Sequence, residues 1–155
     1  MQTHDDHVPE ELFTEILDAM PQICVEIVLQ TDEGVLVARR TNEPRLWFWP
    51  GSRLYKGERL TDAAHRVAAE ELGIEVDLVE RLGVQEHFWG PDEAEAGVSR
   101  HTVNVVYLAT PSSPDYGIDL DSQHSESRFL TAVEPDLHEY VVEYLETYDL
   151  VEDRG

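Results

Sequence analysis

Residues 49–74 read WPGSRLYKGERLTDAAHRVAAEELGI, and this stretch decides the fold. A Pro50–Gly51 turn leads through a Gly57–Glu58 corner into a segment where Ala63, Ala64, Val67, Ala68 and Leu72 recur at helical spacing. That stripe of small apolar side chains lets a helix lie close against a sheet. Gly73 is the expected stop, because glycine takes the left-handed conformation after a last turn without steric penalty. Glu70 and Glu71 follow Val67 closely and are read as flanking one side of the helix, with Arg66 as the partner of Glu70 one turn earlier. Two carboxylates side by side on a rigid element suit a hard divalent cation such as Mg²⁺, which takes oxygen ligands and shares them with substrate phosphates.

The stretch resembles the Nudix box, a signature of glycine, glutamate, arginine and paired glutamates that ends in glycine and an aliphatic residue. Glu58, Arg66, Glu70, Glu71, Gly73 and Ile74 fall in register with it. Ser52 stands where the pattern has its first glycine, and Val67 where it has a glutamate after the arginine. The second exchange takes a carboxylate from the metal-facing side and implies fewer bound ions. That loss is similar to the one in the GDP-mannose mannosyl hydrolase branch, and the likeness extends outside the box. Arg39-Arg40-Thr41-Asn42, Gln85-Glu86-His87-Phe88-Trp89, Asp121-Ser122-Gln123-His124 and Arg128-Phe129-Leu130-Thr131 resemble that branch in the same order, over residues 20–131.

The resemblance implies an α/β Nudix fold, a mixed β-sheet sandwiched between α-helices, filling residues 1–155 as one domain. It also implies a reaction: water attacks the anomeric carbon of a GDP-hexose with inversion, and GDP and free sugar leave. His124 is then the general base. Arg40 meets the diphosphate and steadies the departing nucleotide, Arg53 also reaches phosphate, Glu26 contacts the sugar end, and His87 lines the substrate pocket in a minor role. The resemblance assigns the metal, Mg²⁺ with Mn²⁺ as a substitute, to the Gly51 carbonyl, Glu71 and the Gln123 side chain. Glu58, Arg66 and Glu70 support them, with Arg66 orienting the carboxylates. The residue types suit these roles. A diphosphate whose charge is neutralised departs without a general acid, so only a base is needed on the opposite face of the sugar, as in the water-activating half of an inverting glycosidase. A neutral imidazole accepts a proton near pH 7, and a flexible loop would bring His124 over the sugar. Family likeness also suggests a homodimer.

Taken alone, several of these residues have plainer readings. Glu26 interrupts an apolar strand and reads as a carboxylate on its solvent face. Arg39 and Arg40 point opposite ways on a strand, so at most one faces a given site, and either could simply pair with an acidic surface. A lone histidine, whether His4, His7, His65, His87, His101, His124 or His138, is most often solvent-exposed. Trp47, Phe48 and Trp49 read as core or pocket wall.

The 155 residues suit one domain with a sizeable core. The single Cys24 has no internal disulfide partner and reads as a buried thiol. With 33 acidic and 11 basic residues the net charge is −22, which argues against general affinity for nucleic acid or anionic membrane. Lys56 is the only lysine. An acidic, lysine-poor surface fits work in concentrated salt, where self-repulsion is screened, so a halophilic source is expected. The N-terminal MQTHDDHVPEE lacks the regions of a signal peptide, and a cytoplasmic location is expected.

Around the box, residues 9–20 predict an N-terminal helix with Leu12, Ile16 and Met20 as its stripe. Residues 22–30 and 35–40 predict a hairpin turning at Asp32-Glu33-Gly34. Residues 75–86 predict one or two strands, and 101–109 another. Residues 90–100 and 111–127 read as loops. A strand resumes at Arg128, and residues 135–148 predict a C-terminal helix with Leu137, Val141, Tyr144 and Leu145 on one stripe. Two rival functions stand beside the leading one. The first is a Nudix pyrophosphohydrolase that cuts phosphorus–oxygen bonds, favoured by the retained Glu70. The second is a nucleotide-sugar-binding module without turnover, favoured by the missing carboxylate at Val67.

Overall fold

A central strand, β1 (Gln22–Thr31), organises the computed structural model, which describes residues 8–42, 45–93 and 97–152. It is apolar on both faces because both are covered: Val25, Ile27, Val28 and Leu29 are all fully buried. A tight turn joins it to β2 (Gly34–Arg40), with Thr31 opposite Gly34, as the Asp32-Glu33-Gly34 signal predicts. Gly34 has φ +124°, and a Cβ there would lie 2.3 Å from the Leu130 carbonyl oxygen, so only glycine fits.

Three further strands complete the main sheet: β3 (Trp47–Phe48), β5 (Val76–Trp89) and β6 (Arg100–Pro111). The order is β3-β2-β1-β6-β5, and β1 and β6 run parallel while the other pairs are antiparallel. Two strands lie off this path, β4 (Gly51–Arg53) on β1 and β7 (His124–Leu130) on β2. Residues 76–86 thus belong to one long strand, which keeps pairing with β6 through two bulges.

Alternation along β1 and β6 divides the core. Val25, Ile27, Leu29, Val105, Tyr107 and Ala109 pack with α2 (Leu60–Val67) on one face. Val28 and Val106 pack with Val141, Tyr144 and Leu145 of α3 (Glu139–Thr147) on the other. The expected mixed sheet between helices is therefore present. The small-residue stripe of α2 is fully buried, Val67 included, so the valine at the exchanged position is a core residue. Beyond Val67 the helix widens into a π-helical turn, Ala68–Leu72, and ends at Gly73 with φ +66°.

Three expectations are corrected. The N-terminal helix, α1 (Glu10–Ala19), is present but buries Leu17, leaving Leu12, Ile16 and Met20 exposed. The C-terminal helix starts only at Glu139, because His138 is extended and caps it by accepting the Tyr140 N–H, so Leu137 packs from the preceding turn. The strand expected at Arg128 begins at His124, where β2 supplies a partner through Arg40. Of the loop at 90–100, Pro91–Glu93 form a short 3₁₀ turn and residues 94–96 lie outside the described residues, as do His4 and His7.

Candidate active site

Two groups of polar residues meet at Gly51 and Arg40. The first is built on the end of the α2 unit. Glu71 is buried, and its Oε1 accepts the Gly51 N–H at 3.2 Å. Glu70 does not share that position. It is exposed and lies 3.4 Å from Arg66, because consecutive helical residues point about 100° apart. The paired-carboxylate reading is therefore wrong: one faces inward and the other solvent. Nor does Arg66 orient both. It forks onto Glu58, with Nε at 2.7 Å from Oε2 and Nη2 at 2.9 Å from Oε1. It also donates to the Arg53 carbonyl and to Ser52 Oγ, and stacks over the Tyr55 ring. Glu58 and Arg66 thus brace the loop carrying Gly51–Arg53, with Ser52 joining the brace where the signature has glycine.

His124 completes this group. It is not on a flexible loop but is the first residue of β7, buried and paired in register with Arg40. Its Nδ1 is 2.7 Å from Asp121 Oδ1 and its Nε2 is 3.7 Å from Glu71 Oε1. Asp121 was not singled out from the sequence, although it heads the quoted Asp-Ser-Gln-His run. The Asp121 backbone N–H reaches the Glu71 carbonyl at 3.4 Å, and the Gln123 carbonyl accepts from the Thr41 N–H at 2.9 Å. The turn before β7 is thereby fastened to both the π-helical turn and the end of β2. The Gln123 side chain is exposed at this turn.

Burial first, and then the Asp121 carboxylate, push the Glu71 carboxyl up to about 8, although the Gly51 N–H works the other way. An acid disfavoured as an anion by desolvation and by a like charge is one that a cation would stabilise. The oxygens brought together around His124 are those of Glu71 and Asp121, with Gly51 held against Glu71 through its N–H, and oxygen is the donor a hard divalent ion takes. Among the described residues no three His, Cys, Asp or Glu side chains form a group that could hold a metal ion by themselves. The residues fit an ion that keeps positions open for substrate oxygens and water.

The second group lines a cleft of about 100 Å³ on the α3 side of the sheet. Glu26, Arg40, Gly51, Arg53 and His87 all face it, and so does Arg100, which the sequence reading passed over. Three arginines at one cleft in a chain of net charge −22 make a local positive region suited to phosphate oxygens. Arg39 is exposed, so Arg40 is the member of that pair that turns to the site. Arg53 also lies over the Tyr55 ring.

The solvent-face reading of Glu26 is overturned. Its side chain is 4% exposed, because the central strand has no solvent face. Its Oε1 accepts a hydrogen bond from the Tyr144 hydroxyl. His87 is buried 2.8 Å from that hydroxyl and stacks on Tyr140, while Trp49 stacks on Tyr144. Trp49 is therefore pocket wall, as expected of the aromatic run. Cys24 lines the same cleft as a buried thiol that burial pushes up to about 12. His101 instead stacks on Phe88 beside Glu86, and Thr102 turns inward to donate to Asn104.

The comparisons agree with this architecture. The NUDIX domain family matches residues 20–150. The chain is 37% identical over 144 residues to the low-salt glycan biosynthesis protein Agl8 of Haloferax volcanii, covering 92% of this chain and 91% of that one. Among solved structures it is similar to a MutT NUDIX hydrolase from Burkholderia pseudomallei, with a TM-score of 0.67 and 22% identity over 83% of this chain and 98% of that one. It is also similar to a MutT protein from Methanosarcina mazei, with a TM-score of 0.65 and 19% identity over 83% and 94%. At those identities the two structures bear on the fold alone.

Proposed function

Because the chain belongs to the NUDIX family, whose hydrolases act on small nucleotide derivatives with divalent metal ions, we propose that it hydrolyses a GDP-hexose to GDP and free sugar. In this reading water attacks the anomeric carbon with inversion. The observation that carries it is His124 held between Asp121 and Glu71 at 2.7 and 3.7 Å, in register with Arg40 of the cleft.

His124 acts as the base. Asp121 accepts the Nδ1 proton, which leaves a lone pair on Nε2 and fixes the ring, the arrangement an imidazole needs to take a proton from water. Arg40 and Arg53 bind diphosphate oxygens through planar guanidinium groups. The Gly51 carbonyl, Glu71 and the Gln123 side chain would hold Mg²⁺ or Mn²⁺, with Asp121 as a further oxygen. When bound, the ion supplies neutralisation of the diphosphate leaving group. Glu58 and Arg66 keep the Gly51 loop in place, with Glu70 supporting Arg66 from the solvent side. Glu26, which packs against Gly51, and His87 beside it receive the sugar. The Haloferax volcanii relative is named for glycan biosynthesis, whose building blocks are activated sugars, and this supports a nucleotide-sugar substrate.

A second reading keeps the family chemistry at phosphorus, and Glu70, retained beside Arg66, favours it. Incubation with GDP-mannose and Mg²⁺ in molar KCl and H₂¹⁸O separates the two. GDP and mannose, with the label in the sugar, are expected. GMP and mannose 1-phosphate would establish the second reading, and binding without products a non-catalytic module. We take the enzyme to be cytoplasmic. The exposed Leu12 and Ile16 of α1 and Met20 just beyond it are the face on which a homodimer would form, and a monomer mass by light scattering would exclude it.

A further inference from the structure

Behind the cleft-lining Glu26 and His87 lies a third member of their hydrogen-bond chain, Tyr144, which the hydrolytic scheme leaves unused. Tyr144, carried by α3, is fully buried, and its hydroxyl donates to Oε1 of Glu26. His87 Nε2 lies 2.8 Å from the same hydroxyl oxygen and 3.8 Å from Glu26 Oε1. A phenol has one proton. With that proton directed to the carboxylate, the oxygen can meet His87 only as an acceptor, so the imidazole carries its proton on Nε2. The reverse order, Tyr144 donating to His87, would leave phenol and carboxylate lone pairs in close contact inside the protein. Burial and the Glu26 charge together hold the Tyr144 hydroxyl far above the ordinary phenol range, so it remains a donor.

The chain of donors has a consequence at the cleft. With its proton on Nε2, His87 has a bare lone pair on Nδ1, and that atom is buried without a hydrogen-bond partner among the described residues. One oxygen of Glu26 is committed to Tyr144, which leaves the other for a ligand. Glu26 and His87 both line the cleft. They therefore present two acceptors and no donor. The rings cannot easily turn to compensate, since Tyr144 stacks on Trp49 at 5.5 Å and His87 on Tyr140 at 4.3 Å.

We infer that Tyr144 is a positioning residue, which locks His87 in the Nε2–H tautomer and makes Glu26 and His87 a pair of acceptors for neighbouring sugar hydroxyls. This rests on the nucleotide-sugar reading. A polyol supplies a proton to each acceptor, whereas a deoxy sugar would leave a buried acceptor unpaired, a larger loss than a missing contact.

Two measurements test it. Long-range ¹H–¹⁵N correlation spectra of the wild-type protein in molar KCl, with His87 assigned through His87→Gln, read the tautomer without substrate. A protonated Nε2 and a pyridine-like Nδ1 are expected, and the Nδ1–H form would overturn the inference even if no variant folds. Tyr144→Phe keeps the ring stack and removes the hydroxyl. The expected result is a mixture of tautomers and a Kd for GDP-mannose raised about ten- to a hundredfold, with the Kd for GDP unchanged. Unaltered GDP-mannose affinity, or an equal loss for GDP, would overturn it. Failure of the nucleotide-sugar reading itself looks different: the wild-type protein would then not bind GDP-mannose at all.

Discussion

His124 Nε2 lies 3.7 Å from Glu71 Oε1 although fifty-odd residues separate them, because β7 pairs with β2 directly beside the Gly51 loop that Glu71 caps. The imidazole is thus set beside the proposed metal-bearing carboxylate while Asp121 holds its other nitrogen at 2.7 Å. Replacing a general base lowers the chemical step and leaves binding largely intact. His124→Gln should therefore reduce kcat about 10²- to 10⁴-fold with little change in KM. Asp121→Asn, which reverses the hydrogen bond to Nδ1, should cause a smaller fall. Steady-state kinetics with GDP-mannose check both, and an unchanged kcat for His124→Gln removes it from the mechanism.

Glu71 links folding stability to pH and to metal. Burial, then Asp121, raise its carboxyl from the ordinary 4.5 to about 8, so between those values the folded chain binds a proton that the unfolded chain has released. Stability contributed by this group is full at the acid end and is lost as pH rises toward 8. A cation binds the deprotonated form, so its stabilising effect grows over the same window. In EDTA and molar KCl, Tm should fall between about pH 6 and about pH 8, and Mg²⁺ should raise it more at the upper end. Glu71→Gln should abolish both trends; retention of either assigns them to another group.

What could be read from the sequence follows from how local each signal is. The α2 stripe and the Gly73 stop lie within one element, and both appear as expected. Glu26 was misread in isolation because a single carboxylate among apolar residues has no pattern, and its partner Tyr144 is 118 positions away. Tyr144 in turn has the spacing of an ordinary core residue on an amphipathic helix. Only the sheet order, which brings α3 over β1, reveals the pair. The separation of Glu70 from Glu71 was derivable from helical geometry, since adjacent residues never share a direction. The start of β7 at His124 was not, because the strand is extended by its β2 partner and not by its own alternation.

The brace beneath the site should be visible in stability. Burial alone would raise the Glu58 carboxyl, but the Arg66 hydrogen bond, the Tyr55 N–H and the Arg66 charge outweigh it and hold the group below its usual range. A depressed carboxyl contributes stability above its unfolded value and loses it as pH falls through the acid range. Glu58→Gln removes the charge from a forked pair whose carboxylate side chain is 7% exposed. It should destabilise the fold by about 2 kcal/mol near neutral pH, with a shrinking difference from wild type in acid. Thermal unfolding at several pH values measures this; a constant difference would mean that the loss is not electrostatic.

Net charge sets a separate dependence. With −22 on 155 residues, self-repulsion opposes the compact state until salt screens it, and the screening length shrinks from about 10 Å at 0.1 M to about 3 Å at 1 M. Tm should rise steeply with KCl and continue to rise into the molar range. Titration with KCl, compared with equal osmolality of sucrose, separates screening from exclusion effects. A Tm insensitive to KCl would remove the basis for expecting a halophilic source.

Gly51 is where the two halves of the site touch, and its lack of a side chain is what allows the contact. A Cβ built there would lie 2.7 Å from Glu26 Cγ and 3.1 Å from the Val25 carbonyl oxygen. The backbone cannot yield readily, because Gly51 pairs with Glu26 in the β1–β4 ladder and its N–H is committed to Glu71. In Gly51→Ala, therefore, either the Glu26 side chain leaves its place against Tyr144 or the Gly51 loop lifts from Glu71. The first outcome should raise KM for GDP-mannose with Mg²⁺ affinity preserved; the second should weaken Mg²⁺ binding as well. Calorimetric titration of Mg²⁺ beside steady-state kinetics distinguishes them, and wild-type values in both would show that the two halves are not coupled through this residue.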